Sequence, residues 1–425
     1  MSGSTNRWRS AVLLIFIVAA AVLAAARLQP IIADSQDAPA TEVGVDYRTT
    51  VYGPNILVSE RQNPWKPEAS VPRFGRFPAT PIWPVSYVAH PLLSRIGYTT
   101  GLSVFLSVSI ALVIVGCGRI SRSLGFSRLA ALLIATLVAL SPTHLYNVAL
   151  GQTGVGLVAA VAYFAVRARQ NPAWWHCLEK WIYAATILFL FAKPTFALTF
   201  LAANLAYERS VRVFARFAAV AASIGLVSFV SIVVRSDQGP AAIVSSMRKS
   251  STILGNLPVN RMDGDRLDLV SLIFPSPLLD VVALVAVAAG LVLLNQLAHT
   301  TLRERLVLGI GLVTIGTYHH MYDSLPLLAL MCCTLLSWPL RQALLLGIGL
   351  VVSGWLYGIN VIRNAITDVV PIDFFALQAR LVFLLVASAM VGTCLLVRSR
   401  PGDRTDAKAS WIRVGMHDES CRAPE

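Results

Sequence analysis

Residues 181–207 read WIYAATILFLFAKPTFALTFLAANLAY. About 20 apolar residues cross a bilayer as a helix, so this run is too long for one crossing and short for two. Lys193-Pro194 stands in its middle. Read as one crossing, Lys193 sits near mid-bilayer, where insertion scales charge about 2.5–3.5 kcal/mol for a cation. Pro194 also removes a backbone donor there and breaks a helix. A second long run, 306–338, is interrupted in the same way by His319-His320-Met321-Tyr322-Asp323. The basic residues decide between the readings. Arg119, Arg122 and Arg128, then Arg167, Arg169 and Lys180, then Arg209, Arg212 and Arg216, then Arg303 and Arg305, then Arg341, and finally the tail from Arg398 punctuate the apolar runs. They all fall on one side only if each long run crosses twice, and basic loops face the cytoplasm.

The whole composition agrees. The chain has 425 residues, 56% of them hydrophobic and only 13% charged, with mean hydropathy +0.66. Ordinary soluble domains carry about 25% charged residues, so disorder and a soluble enzyme are excluded. The net charge of +13, from 35 basic against 22 acidic residues, reads as cytoplasmic loops rather than a nucleic-acid surface, because no polar stretch is long enough for such a domain. The six cysteines lie in apolar runs or inner segments, so no disulfide framework is implied. Cys332-Cys333 reads as helix packing. No zinc, EF-hand, Walker or Rossmann pattern is present, and neither metal nor cofactor is expected.

The reading is an all-α integral membrane protein, a multi-span helical bundle of about 10–12 transmembrane segments, with both termini cytoplasmic. Residues 1–29 form the first transmembrane helix; basic residues, an apolar run and Ala24-Ala25-Ala26 leave a cleavable signal peptide as the alternative. Either way the next segment, 30–97, is an outer loop. Its prolines forbid one regular helix, so short interfacial helices are expected, with Gly53-Pro54 and Asn63-Pro64 as turns. Trp65, Trp83, Tyr87 and Tyr98 suit the membrane interface. Residues 98–397 form the bundle, with spans at 99–117, 129–146, 154–166, 181–207, 214–234, 278–297, 306–338, 344–357 and 374–397. Residues 398–425 form a polar cytoplasmic tail. The outer side then carries Asp46, the turn at 143–152, Lys193 and His319–Asp323. Polar breaks at the tips of short helices make a cavity open outward, the setting in which irregular backbone is tolerated at membrane depth.

Asp46 in that loop reads as a general base or as a solvated charge like Asp34, Asp37 and Glu42. Lys193, a cation at a helix break, suits a phosphate, or snorkels from a hairpin tip. His319 and His320 point to different helix faces, which argues against a simple two-ligand metal site. Either suits a phosphate or a sugar hydroxyl, and Asp323 suits sugar hydroxyls; a polar turn is the plain alternative. Gln152, with His144 and Asn147 just before it, suits a sugar or phosphate, or ordinary turn chemistry.

In their order, these segments resemble the bacterial polyprenyl-phosphate-mannose-dependent alpha-mannosyltransferases of the GT-C superfamily, which include phosphatidylinositol-mannoside mannosyltransferases. The matching pieces are Asp46-Tyr47 through Asn63-Pro64-Trp65, then Phe77-Pro78 through Pro91-Leu92, then Gly151-Gln152 opening a helix. Lys193-Pro194-Thr195 and the His319–Asp323 segment with Pro326 follow. Trp65 stands where the family has Tyr, and the usual double proline is absent. The resemblance spans roughly residues 40–330, and the specific part is the order of motifs that are individually short.

The resemblance implies a GT-C-like bundle in the plasma (cell inner) membrane with its active site facing outward. It implies a polyprenyl-phosphate sugar donor, with mannose as the sugar, a glycolipid or glycan acceptor, and membrane lipids around it. Asp46 takes the role of catalytic base. Lys193, with His319 or His320, takes the donor phosphate. Gln152, Tyr47, Tyr322 and Asp323 take the sugar or the acceptor. A transporter or flippase of a lipid-linked or anionic substrate also suits the polar breaks. Transporters usually show internal repeats, and no convincing similarity between halves is seen. A polysaccharide polymerase or ligase tends to carry its large outer loop later in the chain.

Overall fold

The computed structural model describes residues 44, 46–74, 90–152, 154–167, 194–236, 238–255, 277–295, 301–317 and 324–337. Every element among them is helical. The expected first span, the last two spans and the tail lie outside them.

Asp46 leads into a π-helical turn, Tyr47–Tyr52, which runs directly into α1, Gly53–Ser59. The expected turn at Gly53-Pro54 is therefore a helix start. Proline is tolerated in the first turn of a helix, and the wider π turn just before it absorbs the missing donor. Short helices α2 (Pro67–Phe74) and α3 (His90–Leu93) follow, as the prolines of this loop require.

Helix α4, Tyr98–Ser123, is 26 residues long, about 39 Å at 1.5 Å per residue. It extends past the expected end at 117 because Arg119 and Arg122 continue the helix on long apolar stems. The expected span at 129–146 is instead two helices, α5 (Arg128–Ala139) and α6 (Pro142–Leu150), bent by 57°. Ser141 caps α6 by accepting from the His144 N–H at 3.2 Å, and Pro142 occupies its first turn. Helix α7, Val155–Arg167, is buried on every side through Val166, as a helix without a polar face must be. Pro194 opens α8, Pro194–Glu208; α9 is Arg212–Arg235, α10 Pro240–Gly255, α11 Pro277–Asn295, α12 Leu302–Gly316 and α13 Leu325–Ser337.

Contacts between helix ends fix their directions. At one end, Ser123 meets the Tyr207 hydroxyl at 2.6 Å, Arg167 pairs with Glu208 at 2.6 Å, Arg305 Nε donates to Ala206 O at 2.8 Å and Ser121 lies 3.5 Å from Cys333 Sγ. At the other end, Gly44 N donates to Ala149 O at 2.7 Å and Asn63 Nδ2 to Gln238 Oε1 at 2.8 Å. These are called the arginine end and the Asp46 end. Helices α7 and α8 both reach the arginine end, so they are parallel. Helix α12 runs away from the arginine end and α13 comes back to it. Pro194, Thr317 and Ser324 therefore share the end that carries Gln152.

The core lies among α4, α5, α7, α8, α9, α11, α12 and α13 and includes the buried Cys117, Cys332 and Cys333. Gly116 of α4 admits α7 closely: a Cβ there would come within 2.6 Å of Val158 Cγ1. Among the described residues, two helices, α4 and α9, are long and apolar enough to cross a membrane, with the bent α5–α6 pair a third if taken as one. Both long helices expose apolar flanks, including Val104 and Val108 on α4 and Leu226 and Val234 on α9. The described stretches of α7, α8, α12 and α13 have 13 to 15 residues, about 20–22 Å each.

Candidate functional site

Asp46 and Gln152 come together at the Asp46 end. Gln152 Nε2 donates to Asp46 Oδ2 across 106 positions of sequence, and both residues are half-buried. This is a charge-assisted bond, the stronger kind, and it fixes the carboxylate's orientation.

Two glycines make the approach possible. Gly151 ends α6 with φ +69°, and Gly44 has φ +73°. Gly151 is the left-handed residue that commonly terminates a helix. A Cβ on it would come within 2.7 Å of Tyr47 Cβ and 3.2 Å of Tyr47 N. Gly44 and Tyr47 thus lie directly against Gly151 at the end of α6. Around the carboxylate, Thr50 Oγ1 donates to Asp46 O, Arg48 N to Gly44 O at 2.9 Å, and the Tyr98 hydroxyl to Gly44 O at 3.3 Å.

Tyr47 is 1% exposed. Its ring packs on Phe105 (centroids 4.9 Å apart), Tyr98 (6.1 Å) and Tyr52 (6.2 Å), and its hydroxyl reaches Gly101, where a Cβ would lie 2.5 Å away. Burial, aided by the neighbouring Tyr52 and Tyr98, pushes this hydroxyl's pKa up to about 12. It stays protonated at neutral pH. Tyr47 thus anchors the Asp46 segment through its ring.

The loop's second motif is a docking device. Asn63 Oδ1 accepts from Trp65 N at 3.0 Å, an Asx-type turn, while its Nδ2 bonds Gln238. Trp65 was expected at the membrane interface. It is instead fully buried with Val58, Ile232 and Ile243, because the turn at Asn63-Pro64 aims it at the α9–α10 junction. An exposed Glu68–Lys249 pair, 2.6 Å apart, adds to that contact.

Lys193, His319, His320, Tyr322 and Asp323 lie outside the described residues. Their described sequence neighbours, Pro194, Thr317 and Ser324, stand at the Asp46 end. Among the described residues, no group of three or more His, Cys, Asp or Glu side chains gathers where a metal could bind. The sequence reading did not single out Gly44, Phe105 or Gln238. A lone glycine two residues before Asp46 was the one available signal for the first. No family model matches the chain, and no curated protein or solved structure matches it.

Proposed function

We propose that the protein is a membrane glycosyltransferase that moves a sugar from a polyprenyl-phosphate donor to a hydroxyl of a lipid or glycan acceptor, at the Asp46 end and with inversion. The observation that carries this reading is the Asp46 carboxylate, held by Gln152 and left half-exposed on a rigid aromatic and glycine platform. A catalytic group held by a neighbouring side chain and a locked backbone is what positioned chemistry requires.

In this reading Asp46 removes the acceptor proton as the acceptor oxygen bonds to the anomeric carbon. The bond from that carbon to the phosphate oxygen breaks, and polyprenyl phosphate leaves with the electron pair. The leaving group is already an anion, so no general acid is needed. Lys193 and one of His319 or His320 stabilise its developing charge. Gln152 serves Asp46 directly, and Asp323 and Tyr322 are left to the sugar or acceptor. Mannose is the sugar that the family resemblance favours. The outer face of the plasma membrane fits the arginines gathered at the other end, by the rule that basic loops stay inside. The multi-span bundle belongs to the same proposal.

The test is transfer in membrane vesicles from radiolabelled polyprenyl-phosphate mannose to candidate lipid acceptors. Asp46→Asn is expected to lower the rate by about 10²–10⁴-fold with the protein still folded. Full-rate transfer by Asp46→Asn removes the base assignment. Wild-type vesicles that move the labelled lipid across the bilayer without transfer would mark a flippase instead.

A further inference from the structure

Helix α9 has two distinct faces. Val213, Phe217, Ala221, Gly225 and Ile232 are buried along one side. Arg212, Arg216, Ala219, Ser223, Leu226 and Val230 are exposed along the other, at spacings of three and four that put them in one line. Beyond the arginines this line is an apolar flank, with Leu226 63% and Val230 49% exposed. The two arginines stand where it starts, at the arginine end. Their guanidinium groups have no hydrogen-bond or ion-pair partner among the described residues. Helix α9 contains no carboxylate, and Glu208, just before it, is taken by Arg167. Like charges one turn apart on a helix repel, so helix stability does not account for the pair. Orientation in the membrane does not account for it either. The rule that basic residues stay inside asks for arginines at this end, not for two in register with a lipid-facing flank. Helical side chains lean toward the N-terminus, so both stems carry their charge from the apolar flank toward the headgroup level.

We propose that this face of α9 binds an anionic phospholipid of the leaflet at the arginine end. Arg212 and Arg216, one turn apart, share its phosphate, and one acyl chain lies along Ala219, Ser223 and Leu226. From Arg216 to Leu226 the helix rises about 15 Å. That is half of a hydrocarbon core about 30 Å thick, the depth of a single leaflet. Arginine makes paired, charge-assisted hydrogen bonds to phosphate, and basic residues beside a membrane helix attract anionic headgroups. The partner is a lipid rather than a free anion because the arginines lead directly into an exposed apolar flank. The site lies at the end opposite Asp46, so it requires that the chain sit in a bilayer but not that it transfer sugar.

The experiment uses the full chain in detergent micelles, titrated with phosphatidylglycerol or phosphatidylcholine of matched acyl chains and read by native mass spectrometry. Wild type is expected to prefer phosphatidylglycerol by about tenfold or more, and Arg212→Gln and Arg216→Gln each to reduce that preference about fivefold. The double variant should abolish it. Arg128→Gln removes the same charge from a single exposed arginine at the start of α5 and should leave the preference in place. All three side chains are exposed, so thermal midpoints in lipid-free detergent should match wild type. Excess inorganic phosphate should leave the lipid bound. Equal affinity for the two lipids, an unchanged preference in the double variant, or an equal loss in Arg128→Gln would overturn the proposal. So would a lowered lipid-free midpoint in the Arg212 or Arg216 variants, displacement by phosphate, or dimers of the chain in place of lipid adducts.

Discussion

At the Asp46 end the stretch before Asp46 meets α6 by backbone against backbone. Gly44 bonds Ala149, and Gly151 lies against Tyr47 with no room for a Cβ. At the arginine end the helices are held by long side chains that reach carbonyls and each other: Arg122 to Phe126 O at 2.6 Å, Arg305 to Ala206 O and Arg167 to Glu208. A long side chain adjusts its rotamer when its target shifts. A backbone contact at a glycine does not. The first kind of closure tolerates change. The second holds a carboxylate in one geometry, and it occurs where Asp46 is.

The largest expected effect follows from that difference. Gly151→Val puts a β-branched side chain into Tyr47 and forces a left-handed backbone on it. Overpacking costs about 1–3 kcal/mol, and the left-handed conformation adds about 1–2 kcal/mol. Thermal unfolding in detergent should show this loss, and transfer should fall with it because Gln152 is displaced from Asp46. A variant as stable and active as wild type would mean that Gly44 and Tyr47 do not rest on Gly151.

Gln152 gives the next effect, on pH dependence rather than on the fold. Gln152→Glu places a second carboxylate beside Asp46. Like charges oppose ionisation and raise the pKa of one member of such a pair. In the proposed reaction the base acts in its ionised form, so the acid limb of the rate profile should move to higher pH. Gln152→Ala, which removes the bond without adding charge, should slow transfer without that like-charge displacement. Identical profiles for wild type and Gln152→Glu would detach Gln152 from Asp46 during turnover.

How much of this was legible in the sequence depends on range. Helices α4 and α9 are uninterrupted apolar runs, and hydropathy alone locates them. The α5–α6 bend was missed because hydropathy reads straight through Ser141-Pro142, although a cap residue followed by proline announces a helix start. Gly53-Pro54 misled in the opposite direction, since proline in a first turn continues a helix. Asp46 and Gln152 were both singled out, but nothing local says that they touch. That pairing rests on two glycines far apart in sequence, each ordinary when seen alone. Trp65 was misplaced for the same reason, because its burying partners, Ile232 and Ile243, lie on α9 and α10.

The arginine end supplies the control. Arg167 and Glu208 form a pair 2.6 Å long, with side chains 44% and 27% exposed. Partly exposed pairs of this kind contribute about 0.2–1 kcal/mol. Arg167→Ala should therefore lower the thermal midpoint slightly and leave transfer at the far end unchanged. A loss as large as that of Gly151→Val would erase the contrast between the two ends.

The smallest effect is expected at Glu68, and it tests what holds the first loop down. Its carboxyl lies below the ordinary carboxylate range, chiefly because Lys249 hydrogen-bonds it and then because of its own backbone N–H. A group whose pKa is depressed by folding stabilises the fold above its unfolded value, about 4.3 for Glu. That contribution is lost as pH falls through the lower folded value. Both side chains are more than half exposed, so solvent and salt screen the pair. Any difference between wild type and Glu68→Gln should be small at neutral pH in low salt and should vanish in high salt or strong acid. The loop itself should stay in place, because the buried Trp65 and the Asn63–Gln238 bond are untouched by the substitution. If Glu68→Gln instead freed the loop and abolished transfer, an exposed ion pair would be the tie, and the Asp46 end would be closed by the same adjustable contacts as the arginine end.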